Sequence, residues 1–116
     1  MKALHSEKAP KALGPYSQAI CAGGFVFASG QVPIDPATGE FAEGGIKEQT
    51  KQSLTNVTNV LAEAGIDLTH VVKTTVFLSD MANFAAMNEV YSTFFSEPFP
   101  ARSAVAVKTL PKNALV

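Results

Sequence analysis

The 116-residue sequence has almost no cysteine, almost no arginine and no excess of either charge. The single cysteine, Cys21, cannot form a disulfide within the chain, and no Cys/His spacing matches a metal site. Nine Lys and Arg residues against ten Asp and Glu residues give a net charge of −1, with no basic arm. A metal centre and electrostatically driven binding to nucleic acid or anionic membranes therefore have no support.

The sequence also lacks an uninterrupted apolar stretch. The longest segment without a charge, positions 12–34, is broken by glycines and prolines, and the first eight residues have no apolar core typical of a secretory signal. A chain of 116 residues, 47% of them apolar, is long enough for one hydrophobic core. We expect a single cytoplasmic domain that spans residues 1–116.

The first part of the chain is predicted to form β-structure. Gly23-Gly24 joins two short apolar runs, Ser17–Ala22 and Phe25–Ser29, in the pattern of a β-hairpin. The pattern leaves open whether a further strand precedes this hairpin. Turn-forming residues between Pro33 and Gly45 predict an exposed loop.

The second part is predicted to alternate helices and strands. In order, the patterns predict a helix over 46–64 that Gly65 ends, a strand over 71–78, a helix over 84–95 that Ser79 or Asp80 caps, and a strand over 102–108. Two helices cover about one face of a sheet. The opposite face, which carries residues such as Phe25 or Phe27, needs another partner, so we expect self-association.

Arg102, the only arginine, is the first candidate for a binding residue. It follows the rigid Pro-Phe-Pro segment 98–100 and lies between the small residues Ala101 and Ser103. A guanidinium there can present two parallel N–H donors to a carboxylate, and small neighbours leave room for a ligand. A surface arginine or a structural ion pair is the alternative.

Three further positions have polar groups in unusual places. Asn88 falls within the apolar stripe of the second predicted helix, so its amide needs partners, which are backbone groups or a ligand. Tyr16 follows the Gly14-Pro15 turn and either offers its hydroxyl to a substrate or packs at the strand start. Ser29-Gly30 ends a strand, either as an ordinary turn or as a place where backbone approaches a small ligand.

Other chemistry has little support in the sequence. Cys21 and His70 are interpreted as a core residue and a connector residue, and no Ser-His-Asp arrangement, phosphate-binding glycine loop or zinc signature is present. A carboxylate clamp with few acid–base groups suits a substrate that is already reactive, because positioning and charge neutralisation then suffice.

Five segments, taken together and in order, closely resemble the RidA (YjgF/YER057c/UK114) family of reactive-intermediate deaminases. They are Gly14-Pro15-Tyr16-Ser17-Gln18-Ala19, Ser29-Gly30-Gln31-Val32-Pro33, Val72-Lys73-Thr74-Thr75-Val76, Asn88-Glu89-Val90-Tyr91 and Pro100-Ala101-Arg102-Ser103. The resemblance covers essentially the whole chain. It implies a chorismate-mutase-like α+β fold, a mixed sheet with two helices on one face, and a homotrimer with active sites between subunits.

The resemblance also implies a reaction. The family hydrolyses enamine and imine intermediates, such as 2-iminopropanoate and 2-iminobutanoate, to 2-oxo acids and ammonia, without a cofactor. Pyridoxal-phosphate enzymes acting on serine or threonine release these intermediates. The catalytic residues implied here are Arg102, which holds the substrate carboxylate, and Tyr16; the implied substrate-binding residues are Arg102, Tyr16, Ser29, Gly30, Asn88 and Ala104.

Two departures from the family pattern stand out. Many members have a cysteine where this chain has Ala104, and others have alanine, so we expect no thiol chemistry. The family motif continues past Leu115-Val116 with a final strand, whose glutamate orients the attacking water. We expect that strand to be missing from the sequence as given rather than from the native protein. A non-catalytic 2-oxo-acid sensor and an RNA-directed translation inhibitor or ribonuclease are the alternative functions.

Overall fold

The computed structural model describes residues 1–116 as an α+β fold with seven strands and two α-helices. In chain order these are β1 (Lys2–Leu4), β2 (Ala19–Ala22), β3 (Phe25–Ala28), β4 (Ile34–Asp35), β5 (Glu40–Phe41), α1 (Ile46–Ala62), β6 (Lys73–Leu78), α2 (Phe84–Phe94) and β7 (Ala101–Ala106). Short 3-10 turns lie at Leu68–His70, Met81–Asn83 and Pro111–Asn113. Neither α-helix combines the length and the apolar character needed to cross a bilayer.

The predicted hairpin is present. β2 and β3 pair antiparallel around Gly23 and Gly24, whose φ angles of 59° and 80° lie in the left-handed region that a two-residue hairpin turn requires. β1 pairs with β2 on the other side, so the strand that the pattern left open exists. These three strands form one antiparallel sheet.

The prediction of an exposed loop between Pro33 and Gly45 is wrong for the first residues of this segment. Pro33 and Ile34 are buried, and β4 and β5 form a small antiparallel pair. The reason is Asn56 of α1, which is fully buried and donates from its amide to the carbonyls of Val32 at 3.1 Å and Ile34 at 2.9 Å. A helix side chain thus satisfies loop carbonyls that would otherwise need water.

Helix α1 ends as predicted. Gly65 has a φ of 73°, and the N–H groups of Gly65 and Ile66 donate to the carbonyls of Ala62 and Leu61. This is the Schellman arrangement with glycine at C′. The buried face of α1 also contains Gln49, which the apolar pattern did not identify and which accepts a hydrogen bond from the Leu115 N–H.

The chain then forms a β-α-β unit. The side chain of Asp80 accepts from the Ala82 N–H and starts the turn that leads into α2, and β7 returns parallel to β6. The observed ends of β6, α2 and β7 each lie within two residues of the predicted ends. Four residues form the core of this unit: Leu78, Met87, Tyr91 and Phe95.

The strands form three separate sheets instead of one continuous mixed sheet. β1–β3 form one, β4–β5 a second and β6–β7 a third, and no strand pairing joins β3 to β6. A groove of about 900 Å³ lies between β3 and β6. It is lined by residues of these two strands and of α1, and by Val116. The expected mixed sheet is therefore interrupted at this groove.

The surface of the strands away from the helices carries exposed apolar side chains, as predicted. Phe25 and Phe27 of β3 are 60% and 62% exposed, and Phe77 of β6 and its register partner Val105 of β7 are also exposed. Their outward direction follows from strand alternation, since the intervening residues are more buried.

Candidate functional site

Arg102 lies on the helix-facing side of β7. In this strand Arg102 and Ala104 are half-buried, whereas Ala101, Ser103 and Val105 are exposed, as expected of alternating strand residues. β7 pairs only with β6, so its other edge is free. The guanidinium therefore lies between an edge strand and helix α2.

Three side chains of α2 contact the guanidinium. Nη1 of Arg102 donates to Oδ1 of Asn88 at 2.6 Å, and Cζ lies 4.7 Å from the ring centroid of Tyr91 and 5.4 Å from that of Phe84. The three residues follow the spacing i, i+4, i+7 and so share one face of the helix. The two rings provide cation–π contacts that hold the planar group.

The guanidinium has no carboxylate partner in the chain. The ion pairs of the structure are His5–Glu7, Lys47–Glu89 and Asp67–His70, and Arg102 takes part in none of them. The structural ion pair considered as an alternative role is therefore absent. Of the five N–H donors of an arginine, Asn88 uses only one on Nη1, which leaves the edge formed by Nη2 and Nε free for a planar anion.

Asn88 differs from its expected environment. It is half-buried rather than fully buried, and its oxygen accepts from Arg102 instead of from a backbone group. A neutral amide oxygen fixes the guanidinium without cancelling its charge. We call Arg102, Asn88 and Ala104 the arginine half-site.

The other predicted residues lie at the β2–β3 sheet. Tyr16 is 53% exposed, with its N–H donating to the Gly14 carbonyl. The hydroxyl of Ser29 donates to the carbonyl of Ser17 at 2.7 Å, and Gly30 follows as an exposed residue. We call Tyr16, Ser29 and Gly30 the hairpin half-site.

Gln18 connects the hairpin half-site to the N-terminal segment through hydrogen bonds. Its side chain is 2% exposed; it accepts from the Ser6 N–H at 2.6 Å and donates to the carbonyls of Ser6 and Pro10. Its own carbonyl accepts from the N–H of Ser29. Gln18 is not identifiable from the sequence, because nothing local shows which distant backbone groups its side chain meets.

The two half-sites are separate within one chain. Ser29 and Gly30 line the large groove, but Tyr16 and the three residues of the arginine half-site do not, and no hydrogen bond joins the two sets. The structure thus brings Arg102 and Asn88 together and leaves the hairpin residues apart from them. The groove nevertheless reaches the residues beside Arg102, since Tyr91 and Thr74, the register partner of Arg102, line it.

Two contacts of the arginine half-site were not predicted. Phe84 and Tyr91 belong to the apolar stripe of the second helix and pack in the core, yet both also contact the guanidinium. The available signal was their helical spacing around Asn88. That signal is incomplete, because it does not say which strand faces the helix.

Comparison with known proteins defines the family. The family model described as Endoribonuclease L-PSP matches residues 6–116. The chain belongs to this family. Since RidA and YjgF are names for the same family, the resemblance found in the sequence is confirmed.

Members of the Endoribonuclease L-PSP family with similar sequences have different names. This chain is 57% identical over 113 residues to a RutC family protein of Pyrococcus abyssi, covering 97% of this chain and 89% of that one. It is 47% identical over 113 residues to the 2-iminobutanoate/2-iminopropanoate deaminase of Capra hircus, covering 97% and 82%. The structure of E. coli TdcF with bound serine superposes with a TM-score of 0.94 at 41% identity, covering 99% and 92%.

Proposed function

We propose that the protein hydrolyses reactive 2-imino acids, such as 2-iminopropanoate and 2-iminobutanoate, to 2-oxo acids and ammonia. The observation that carries this proposal is the half-buried guanidinium of Arg102, which has an aromatic and amide setting but no carboxylate partner. The names of the mammalian relatives support the reaction, and the serine bound to TdcF supports a small α-carboxylate ligand.

The carboxylate of the substrate is proposed to bind the Nη2–Nε edge of Arg102. Nη1 of Arg102 donates to Asn88. The Nη2–Nε edge is therefore the one that offers two unused parallel N–H donors. Ala104 lies two residues along on the same face of the strand, and its small side chain leaves room for the substrate's carbon chain. Neutralising the carboxylate makes the adjacent C2 more electrophilic.

The proposed reaction needs one water and no cofactor. Water adds to C2 of the C=N group while the nitrogen takes a proton; the resulting amino alcohol then loses ammonia and forms the C2=O group. Tyr16 is the proposed catalytic partner of Arg102, because its exposed hydroxyl can donate a hydrogen bond at the reacting centre. Ser29 and Gly30 are proposed to line the same cleft, and pyridoxal-phosphate-dependent dehydratases are the proposed source of substrate.

We propose that a homotrimer unites the two half-sites, the hairpin half-site of one subunit facing the arginine half-site of the next. The separation of the half-sites within one chain supports this arrangement. The exposed apolar surface that includes Phe25 and Phe27 gives the subunits an area to bury. Light scattering of the purified protein tests the assembly.

We also propose that one further strand fills the groove between β3 and β6. Leu115 supports this, because its carbonyl accepts from the Ser79 N–H at the end of β6, and Val116 beyond it lines the groove. Both facing strands also have free backbone edges. The intact mass of the protein from its natural source tests whether such a strand follows Val116.

The deaminase proposal is tested with 2-imino acids generated by threonine dehydratase and trapped by semicarbazide. We expect the wild type to compete with the trap, and Arg102→Lys to reduce its rate about 100-fold, because lysine cannot present two parallel donors. Lys108→Ala removes an exposed cation of the same region and serves as the control. A wild-type rate equal to buffer, or an Arg102→Lys rate equal to wild type, contradicts the proposal.

The same samples separate the alternative functions. Binding of 2-oxobutanoate that depends on Arg102, without turnover in the native-length protein, identifies a sensor. RNA binding with a steep dependence on salt supports an RNA-directed role, against which the net charge of −1 and the single arginine argue.

A further inference from the structure

Thr74 of β6 is placed directly beside Arg102. The two residues are register partners in the parallel β6–β7 pair, and both lie on the side of the strands that faces α2. Thr74 does not contact the guanidinium by a hydrogen bond. Its hydroxyl instead forms a hydrogen bond of 2.7 Å with the phenol of Tyr91.

Tyr91 connects these neighbouring strand residues from the helix. Its side chain is 7% exposed, its ring centroid lies 4.5 Å from that of Phe95, and the Arg102 Cζ lies 4.7 Å from the ring. The ring is therefore held by Phe95 through packing and by Thr74 at its hydroxyl. A ring held at both places provides a fixed surface for the guanidinium plane.

We propose that Thr74 is a positioning residue for Arg102 and acts through the hydroxyl of Tyr91. Together with Asn88, which holds Nη1, this contact fixes the plane of the guanidinium and hence the direction of its free Nη2–Nε edge. The role of this geometry in binding a carboxylate rests on the proposed function. The positioning itself is a property of the chain without ligand.

The single arginine permits a direct test without ligand. Its Nε–H group gives one arginine signal in a ¹⁵N-correlated NMR spectrum, and the exchange of that proton with water reports how firmly the group is held. Thr74→Val and Tyr91→Phe each remove one partner of the hydrogen bond and keep the side-chain volume. We expect each to raise the exchange rate roughly 3- to 10-fold, the effect of losing a hydrogen bond of ordinary strength.

Matched variants separate positioning from general loss of structure. Thr75→Val removes the neighbouring hydroxyl from the exposed side of β6 and should leave the signal unchanged, and Thr74→Ser should retain the wild-type rate. The double variant Thr74→Val, Tyr91→Phe should equal either single variant, because both remove the same hydrogen bond. Equal exchange rates in Thr74→Val and Thr75→Val, or a wild-type rate in Tyr91→Phe, contradict the proposal.

A binding measurement distinguishes this inference from the proposed function. If the wild type binds 2-oxobutanoate, we expect Thr74→Val to raise the dissociation constant roughly 3- to 10-fold and Thr75→Val to leave it unchanged. If the wild type does not bind 2-oxobutanoate, the proposed carboxylate site fails, and the NMR comparison still decides whether Thr74 positions Arg102.

Discussion

The two half-sites are held in place by different kinds of contact. In the arginine half-site, side chains hold a side chain: Asn88 bonds the guanidinium of Arg102, and aromatic rings lie against it. In the hairpin half-site the contacts run to the backbone, as when the hydroxyl of Ser29 donates to the Ser17 carbonyl. The aromatic side chain there, that of Tyr16, is largely exposed.

This difference assigns different tasks to the two regions. The arginine half-site is organised within one chain and has a binding edge before any ligand arrives. The hairpin half-site offers an exposed phenol and a backbone turn, and in the proposed trimer a neighbouring subunit completes its surroundings. The proposed function thus expects one chain to bind an anion at Arg102 and expects assembly to be needed for turnover.

The largest effect is expected when assembly is prevented. The double variant Phe25→Ser, Phe27→Ser removes the adjacent rings, whose centroids lie 6.3 Å apart on the exposed face of β3. We expect light scattering to show monomers and the deaminase rate to fall to that of buffer, because the half-sites no longer meet.

Met81→Ser is the control for that variant, since it removes an exposed apolar side chain beside α2 rather than on the strands. A monomeric double variant that retains full activity would show that one chain holds the entire site. A double variant that remains assembled would show that another surface joins the subunits.

The next effect concerns the scaffold of the hairpin half-site. Gln18→Leu leaves the N–H of Ser6 and two carbonyls, those of Ser6 and Pro10, without their buried partner. We expect the free energy of unfolding in urea to fall by about 2–3 kcal/mol. Amide signals of residues 6–18 should shift while the Arg102 side-chain signal stays. Equal perturbation of both half-sites would show that they are coupled within the chain.

A smaller effect tests why the arginine half-site uses an amide. Asn88→Asp places a carboxylate where an oxygen already lies 2.6 Å from Nη1, so it forms an ion pair that offsets the guanidinium charge. We expect 2-oxobutanoate to bind about 10-fold more weakly, because the free edge then attracts anions less. Asn83→Asp adds the same charge immediately before α2 without contacting Arg102 and should bind as the wild type does. Tighter binding by Asn88→Asp would contradict this role of the amide.

The sequence predicted the elements whose causes are local. The Gly23-Gly24 turn, the end of α1 at Gly65 and the outward direction of Phe25 each depend on residues within a few positions of one another. The contacts of Asn56 with the 32–34 backbone could not be predicted, because they join residues more than 20 positions apart.

The candidate site shows the same limit. Arg102 and Asn88 were identified as unusual residues, but their contact depends on how α2 crosses β7, which no spacing along the chain specifies. For the same reason the apolar stripe of the helix does not show that Tyr91 contacts the guanidinium as well as packing in the core. The separation of the half-sites and the groove between β3 and β6 are likewise properties of sheet pairing.

The smallest effect lies outside both half-sites, in the connector that leads to β6. Hydrogen bonds from the hydroxyl and N–H of Thr69 and from His70 hold the pKa of Asp67 below its usual value of 3.8. A lowered carboxyl pKa in the folded state adds stability above pH 3.8, and this contribution disappears as the pH falls through the folded-state pKa. Because Asp67 is fully exposed, we expect Asp67→Asn to lower the melting temperature only slightly at pH 7 and not at all near pH 2. Thermal unfolding of Asp67→Asn and wild type at both pH values measures this, and a difference that persists or grows on acidification would contradict the proposed contribution of the Asp67 carboxylate.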